Sequence, residues 1–405
     1  MAHRDGVHRD RRAGTVGWPR YRGEMLRSDG KWLHLPALAT AHSHAFQRAM
    51  RGHAQRPGPS GTDDFWSWRT AMYEIAASLT PERLAAIADV AFADLARRGV
   101  RTVGEFHYVH HQPDGTPYDD RTLLSQIVVE SARRAGLRIA LLRVVYARAG
   151  AGKPPEGAQR RFSDPDVGLA LRDVDDLRAR YAGASDVVVG IAPHSVRAIP
   201  PEWLAPLAAH ARAHDLPLHM HVAEQPKEIE ACLAETGRRP VELLADRGVL
   251  GPRFVAVHAT HLAPHEAKLL GDANAFACIC PTTERDLGDG LPDVGALARA
   301  GARFCVGIDS HVTTQPLEDL RGVELGERLR TQARIVFPAT DGVTPAESLW
   351  RIGSTEGAAA CGFDDAGGEV RVSVEHPDLA LVDEARWLEA IVYGAGSDAV
   401  ERAWP

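Results

Sequence analysis

The stretch LPLHMHVAE at 216–224 decides the fold. Leu218, Met220 and Val222 alternate with His219 and His221, a period of two that puts both imidazoles on one side of a strand. The run ends on a carboxylate, Glu224. Seven further runs share this character: LPALATAH at 35–42, RTVGEFHYV at 101–109, RIALLRVVY at 138–146, DVVVGIAPH at 186–194, RFVAVHATH at 253–261, AFACICPT at 275–282 and RFCVGIDSH at 303–311. Helical stretches separate them, with legible starts and stops. Thr80-Pro81 reads as an N-cap and first-turn proline, Gly99 as the stop of that helix, and Pro201 and Pro316 as further helix starts. Strands alternating with helices describe an α/β fold with a parallel sheet, and eight such units are the count of a TIM (β/α)8 barrel.

Active sites of such barrels lie at the carboxyl ends of the strands. Six of the eight runs carry a His, Glu or Asp at or near that end. One or two would only reflect the polarity of any strand terminus; six argue for a site. The segment 46–79, rich in Trp, Arg, Gly and Pro, is too long for an ordinary βα loop and is expected to touch substrate or form a lid. Outside the barrel the pattern weakens to short strand-like pieces such as GEVRVSV and LALV, so the expected layout is 37–365 for the barrel, with 1–36 and 366–405 as the two parts of a small, reduced or irregular β domain.

Composition narrows the function. The chain has 405 residues, is 44% hydrophobic and 25% charged, and its 47 basic against 54 acidic residues leave a net charge of −7. That balance suits a globular enzyme and lacks the basic excess of a nucleic-acid binder. No apolar run approaches a membrane span, and the first thirty residues, with seven arginines and no apolar stretch, are not expected to be a secretory signal. Five cysteines at irregular spacing form neither a disulfide framework nor a zinc ribbon. A cytoplasmic enzyme is expected, with no nucleic-acid or membrane partner.

Nineteen histidines against five cysteines mean that any transition-metal site is built of imidazole and carboxylate, donors that suit zinc or iron. Four candidate pieces lie at strand ends: His42-Ser-His44, His219-Met-His221 with Glu224, His258, and Asp309. Each is weak alone; a barrel would converge them on one mouth. Competing motifs fail. His265-Glu266 is not the start of HExxH, GAGK at 150–153 lacks the Ser or Thr of a P-loop, and neither GxSxG nor the PCxxC of nucleotide deaminases occurs. The histidines at 53, 110, 210, 214 and 376 lack a partner at ligand spacing.

HxH on the first strand, HxxE on the fifth, His on the sixth and Asp on the eighth resemble the amidohydrolase superfamily, and the absence of a bridging lysine resembles its mononuclear zinc deaminases. AHSHAFQRAM, DDFWSWRTAMY, GEFHYVHH, APHSVRAI, HMHVAEQ, VHATH and GIDSHV, in that order over 41–312, are similar to the formimidoylglutamate deiminases of histidine degradation. The resemblance fades toward both ends. It implies that His42, His44, His221 and Asp309 hold one Zn²⁺ per chain, with Fe²⁺ the other metal such donors take. Glu224 would then carry protons, with Asp309 sharing the first transfer, and His258 would stabilise the developing charge. Gln47, Arg69, Tyr108, His194 and Arg197 would line the substrate pocket. Two arginines suit a dicarboxylate amidine such as N-formimino-L-glutamate, because a guanidinium pairs bidentately with a carboxylate. The expected reaction is hydrolytic loss of ammonia, in a homodimeric enzyme. A nucleobase deaminase and a catalytically inactive binding barrel are the competing expectations.

Overall fold

The computed structural model describes residues 25–55, 63–337 and 343–404. All eight expected strands form, each shorter than the run that announced it. Numbered along the chain with those of the flanking sheet, they are β1 (Arg27–Ser28), β2 (Trp32–Pro36), β3 (Leu38–Ser43), β4 (Val100–His107), β5 (Arg138–Val145) and β6 (Val187–Pro193). Then follow β7 (Leu218–Val222), β8 (Phe254–His258), β9 (Phe276–Ile279), β10 (Arg303–Val306), β11 (Glu369–Ser373) and β12 (Glu401–Arg402). Strands β3 to β10 pair in parallel in sequence order. The ends of that sheet meet: Ser43 pairs with Asp309, whose amide donates to the His42 carbonyl at 3.0 Å while the His44 amide donates to the Asp309 carbonyl at 3.0 Å. The barrel therefore closes through the backbone of three candidate metal ligands.

The interior is filled by small side chains. Ala39, Ala41, Ala140, Val255, Val257, Cys278 and Cys305 point inward, and the helix Thr355–Ala360 plugs the floor with Ala358 and Ala360. His219 belongs to that floor: it is buried and its Nε2 bonds the Ala360 carbonyl at 2.9 Å. All five cysteines are buried and free, as their spacing implied.

The flanking sheet has the order β1-β2-β11-β12 and draws on both termini. LPALATAH does not form one strand. It splits at Ala37 between β2, in the flanking sheet, and β3, in the barrel. Gly99 links the two layers. It has φ +81°, and a Cβ there would lie 2.6 Å from Val400 and 2.9 Å from Val370. The LALV segment makes no strand; Pro377–Leu379 is a 3₁₀ turn, and the tail adds a helix, Trp387–Gly394, packed on the barrel helices Pro316–Thr331 and Pro345–Ile352. Residues 1–24 of the expected amino-terminal part lie outside the described residues.

The expected loop 46–79 contains a 3₁₀ turn, Ala45–Met50, and a helix, Phe65–Ala77, while 56–62 lie outside the described residues. Asp64 caps that helix by accepting from the Trp66 and Ser67 amides. Thr80, Gly99, Pro201 and Pro316 punctuate helices where expected. No described helix is long and apolar enough to cross a membrane.

Candidate active site

Three of the strands that deliver the site leave their sheet positions through left-handed backbone. Ala223 (φ +51°), His258 (+69°), Ala259 (+52°), Asp309 (+53°) and His311 (+54°) are non-glycine residues at the carboxyl ends of β7, β8 and β10. Such conformations cost energy and persist only where their surroundings hold them. At Ala223 and His258 the holders are buried carboxylates. Glu228 accepts from the Ala223 amide at 2.9 Å. Glu284 accepts from the Cys280 amide at 2.8 Å and from His258 Nδ1 at 3.2 Å.

His42, His44 and His221 converge. His42 Nε2 lies 3.1 Å from His44 Nε2 and 3.1 Å from His221 Nε2, and Asp309 Oδ1 is 3.4 Å and 3.3 Å from the first two. His44 Nδ1 donates to the Phe106 carbonyl (2.9 Å) and His221 Nδ1 to the His194 carbonyl (3.1 Å), so both Nε2 atoms carry bare lone pairs. Burial lowers all three imidazoles, His42 to about 3, so protonation does not relieve the crowding. A single hydrogen on His42 Nε2 could satisfy one of the two neighbours and leave the other lone pair facing nitrogen. A cation among them removes the conflict. Donors at roughly 2.0–2.1 Å from one tetrahedral ion stand about 3.3 Å apart, close to the 3.1–3.4 Å between His42 and each of the other three and between His44 and Asp309. The donor set fits a divalent metal.

Asp309 is ionised: burial would raise its carboxyl, but His42, His258 and His44 hold it below the usual carboxylate range. Glu224 and His258 face it from the other side, with His258 Nε2 3.6 Å from Glu224 and 3.7 Å from Asp309 Oδ2. Burial raises the Glu224 carboxyl against the pull of His258. For His258, burial is outweighed by the three carboxylates Glu224, Glu284 and Asp309, which push it up to about 10.

The cavity above this cluster is lined by every other expected site residue: Gln47, Arg69, Tyr108, His194 and Arg197, together with Glu224, His258 and Asp309. His42 lies beneath it, fully buried. Gln47 donates to the Tyr108 hydroxyl at 3.0 Å, which leaves its own carbonyl without a partner among the described residues. Arg69 Nη1 and Arg197 Nε are likewise buried and unpartnered, and among the described residues neither arginine has a carboxylate within ion-pair reach. Burial lowers Arg69, and the nearby Arg197 adds to that.

Sequence reasoning missed the aromatic wall: Phe65, Trp68, Tyr73, Tyr146 and Phe162 also line the cavity. Tyr146 ends an expected strand and was legible in principle; the others lie in the helix within 46–79 and in the loop before 164. Glu228 and Glu284, which support the strand ends, had no place in the sequence reading. Among the excluded histidines, His53 and His214 are exposed, while His110 is buried with Nε2 on the Val144 carbonyl.

A profile of the amidohydrolase family matches residues 33–402. The chain belongs to the amidohydrolase family. It is 39% identical over 329 residues to a formimidoylglutamate deiminase of Pseudomonas aeruginosa, covering 81% of this chain and 72% of the relative. An 8-oxoguanine deaminase of the same organism is 31% identical over 75% of this chain and 66% of its own length. Among solved structures, an amidohydrolase from Brucella melitensis superposes with TM-score 0.83 at 36% identity, covering 91% of this chain and 82% of that one.

Proposed function

We propose that this amidohydrolase hydrolyses N-formimino-L-glutamate to N-formyl-L-glutamate and ammonia. One observation carries the reading: two half-buried arginines without an ion pair among the described residues line the same cavity as His44, His221 and Asp309, with His42 buried beneath it. A similarity of 39% to a formimidoylglutamate deiminase supports it.

In this reading His42, His44, His221 and Asp309 hold one zinc ion. Bound there, it supplies Lewis acidity that lowers the pKa of water from 15.7 to roughly 7. Glu224 takes the proton of the attacking water and returns it to the departing nitrogen, a task suited to a carboxyl raised above its usual value. His258, cationic between three carboxylates, faces the charge that develops at the amidine carbon. The unpartnered Gln47 carbonyl accepts from an amidine N–H, and Tyr108 holds Gln47 in place. Arg69 and Arg197 each take one carboxylate. Water adds across the C=N bond, the C–NH₂ bond breaks, and the nitrogen leaves as NH₃, so the products balance.

A second reading, deamination of a purine-like ring, has support from the aromatic wall and from the similarity to an 8-oxoguanine deaminase. Ammonia release is to be measured with formiminoglutamate, formiminoaspartate, 8-oxoguanine, guanine and cytosine. Turnover of formiminoglutamate well above the rest is expected. A preference for a purine overturns the reading, and no release from any of them by the zinc-loaded enzyme favours an inactive barrel.

A further inference from the structure

Trp66 stands in the first turn of the helix Phe65–Ala77, three residues before Arg69, so the two share a face. The Arg69 guanidinium lies 4.4 Å from the centroid of its ring, that of Arg197 5.7 Å, and Lys227 Nζ 5.2 Å. These cations come from three separate segments: the excursion after β3, the loop after β6, and the first turn of the helix Pro226–Thr236 after β7. Each is attracted to the indole by its quadrupole, but an aromatic ring neutralises none of them. Elsewhere on this surface arginines find acids: Arg133 with Asp186, Arg148 with Glu235, Arg253 with Asp215. Among the described residues, none of the three cations around Trp66 has a carboxylate within 4.0 Å. Three like charges with no ion pair of their own, Arg197 meeting Glu224 and Glu228 only from beyond 4.0 Å, describe a field that favours an anion.

The three are not equivalent. Arg69 and Arg197 line the cavity, whereas Lys227 does not and is exposed. We propose that Lys227, held at the rim by Trp66, is a specificity-determining residue that favours dianionic over monoanionic substrates by drawing the second carboxylate toward the arginines. This inference rests on the dicarboxylate reading above. Because Lys227 is exposed and lies outside the cavity lining, it acts on capture and not on chemistry. Exposed charges are also screened by salt, which sets a signature that packing lacks.

The test is kcat/KM for formiminoglutamate against ionic strength in wild type and in Lys227→Met, Lys227→Arg and Trp66→Leu. At low ionic strength Lys227→Met is expected to lose about threefold to tenfold, with kcat within about twofold, and to converge on wild type near 0.5 M salt. Lys227→Arg restores the value; Trp66→Leu, which frees the lysine and also loosens Arg69 and Arg197, loses at least as much, and the part beyond the Lys227→Met loss persists at high salt. Unchanged kcat/KM at low salt, or a loss that is independent of salt and includes kcat, overturns the proposal. A second measurement separates it from the substrate reading: calorimetric binding of glutarate and of butyrate to the zinc-loaded proteins. If formiminoglutamate is not turned over but the preference for glutarate depends on Lys227, the substrate reading fails and the rim cation stands. If turnover is seen and Lys227→Met binds glutarate as wild type does, the rim cation fails alone. A wild type that binds no glutarate overturns it as well.

Discussion

At the scale of single residues, Glu224 separates metal binding from proton transfer. It stands three positions past His221, is 8% exposed, and its nearest partner in the site is His258. Glu224→Gln keeps the shape and a hydrogen bond but cannot carry a proton. The variant is expected to retain its zinc while kcat falls by about two to three orders of magnitude. Metal analysis beside steady-state kinetics checks this, and a metal-replete variant with near-normal kcat would move the proton to Asp309 or His258. Arg69 and Arg197 make the complementary case. Loss of either guanidinium is expected to cost about 1.5–3 kcal/mol in kcat/KM, with zinc unchanged. Arg→Lys should rescue only in part, since an ammonium lacks the planar fork. Comparing Arg69→Met and Arg197→Met on the dicarboxylate and on an analogue lacking one carboxylate decides it: variants that discriminate as wild type does would make both arginines structural. His42-Ser-His44 and His219-Met-His221 were legible as candidates because period-two spacing on a strand fixes which side chains share a side. The full ligand set, the proton carrier and the pocket residues followed only from the resemblance to the family. Trp66 was not legible, because an indole in a segment of mixed aromatic and polar residues carries no signal of the cations it will meet.

The eight barrel strands were legible as elements because their β-branched runs are buried on both faces and bounded by helix punctuation. The helix Phe65–Ala77 was not, because it buries only Phe65, Met72 and Ala76, too sparse an apolar face to stand out from a loop. The split of LPALATAH at Ala37 was hidden for another reason: one continuous run feeds two sheets. Between these elements, the loop that follows β5 is shaped by a charge buried in the strand itself. Arg143, fully buried in β5, donates to Asp164 at 2.5 and 2.6 Å and to Asp173 at 2.6 Å, and Arg121 joins Asp173 at 2.9 Å. Asp164 follows Phe162, which lines the cavity. Arg143→Met removes the closer cation, leaving Asp173 paired with Arg121 and the fully buried Asp164 with only Arg121 at 3.9 Å. A destabilisation of about 3–5 kcal/mol is expected in denaturant titration, because breaking one side of a buried pair strands the other. A change under 1 kcal/mol would mean that water reaches those carboxylates and that they do not order the loop.

For the molecule as a whole, the four donors join parts of the chain that are far apart in sequence. His42 and His44 come from the first barrel strand, His221 from the fifth and Asp309 from beyond the eighth, across the seam where the sheet closes. An ion held by all four ties that seam together, and the unfolded chain offers no such site. Its binding free energy therefore adds to folding stability. At a free concentration one hundred times its dissociation constant the gain is about 2.7 kcal/mol. For a chain of this size that amounts to a rise in Tm of about 3 °C. Stripping the protein with a chelator should lower Tm by that much, and restoring one equivalent of zinc per chain should recover it, with the curve flat beyond one equivalent. His221→Ala supplies the control: it removes a lone pair from the cluster, so its Tm should be insensitive to both chelator and zinc. The converse cost matters equally. Without the ion, three buried imidazoles stay crowded at 3.1 Å contacts with an ionised Asp309 beside them. If the stripped protein melts where the loaded one does, the donors are satisfied by their own hydrogen bonds, and the ligand assignment loses its physical basis.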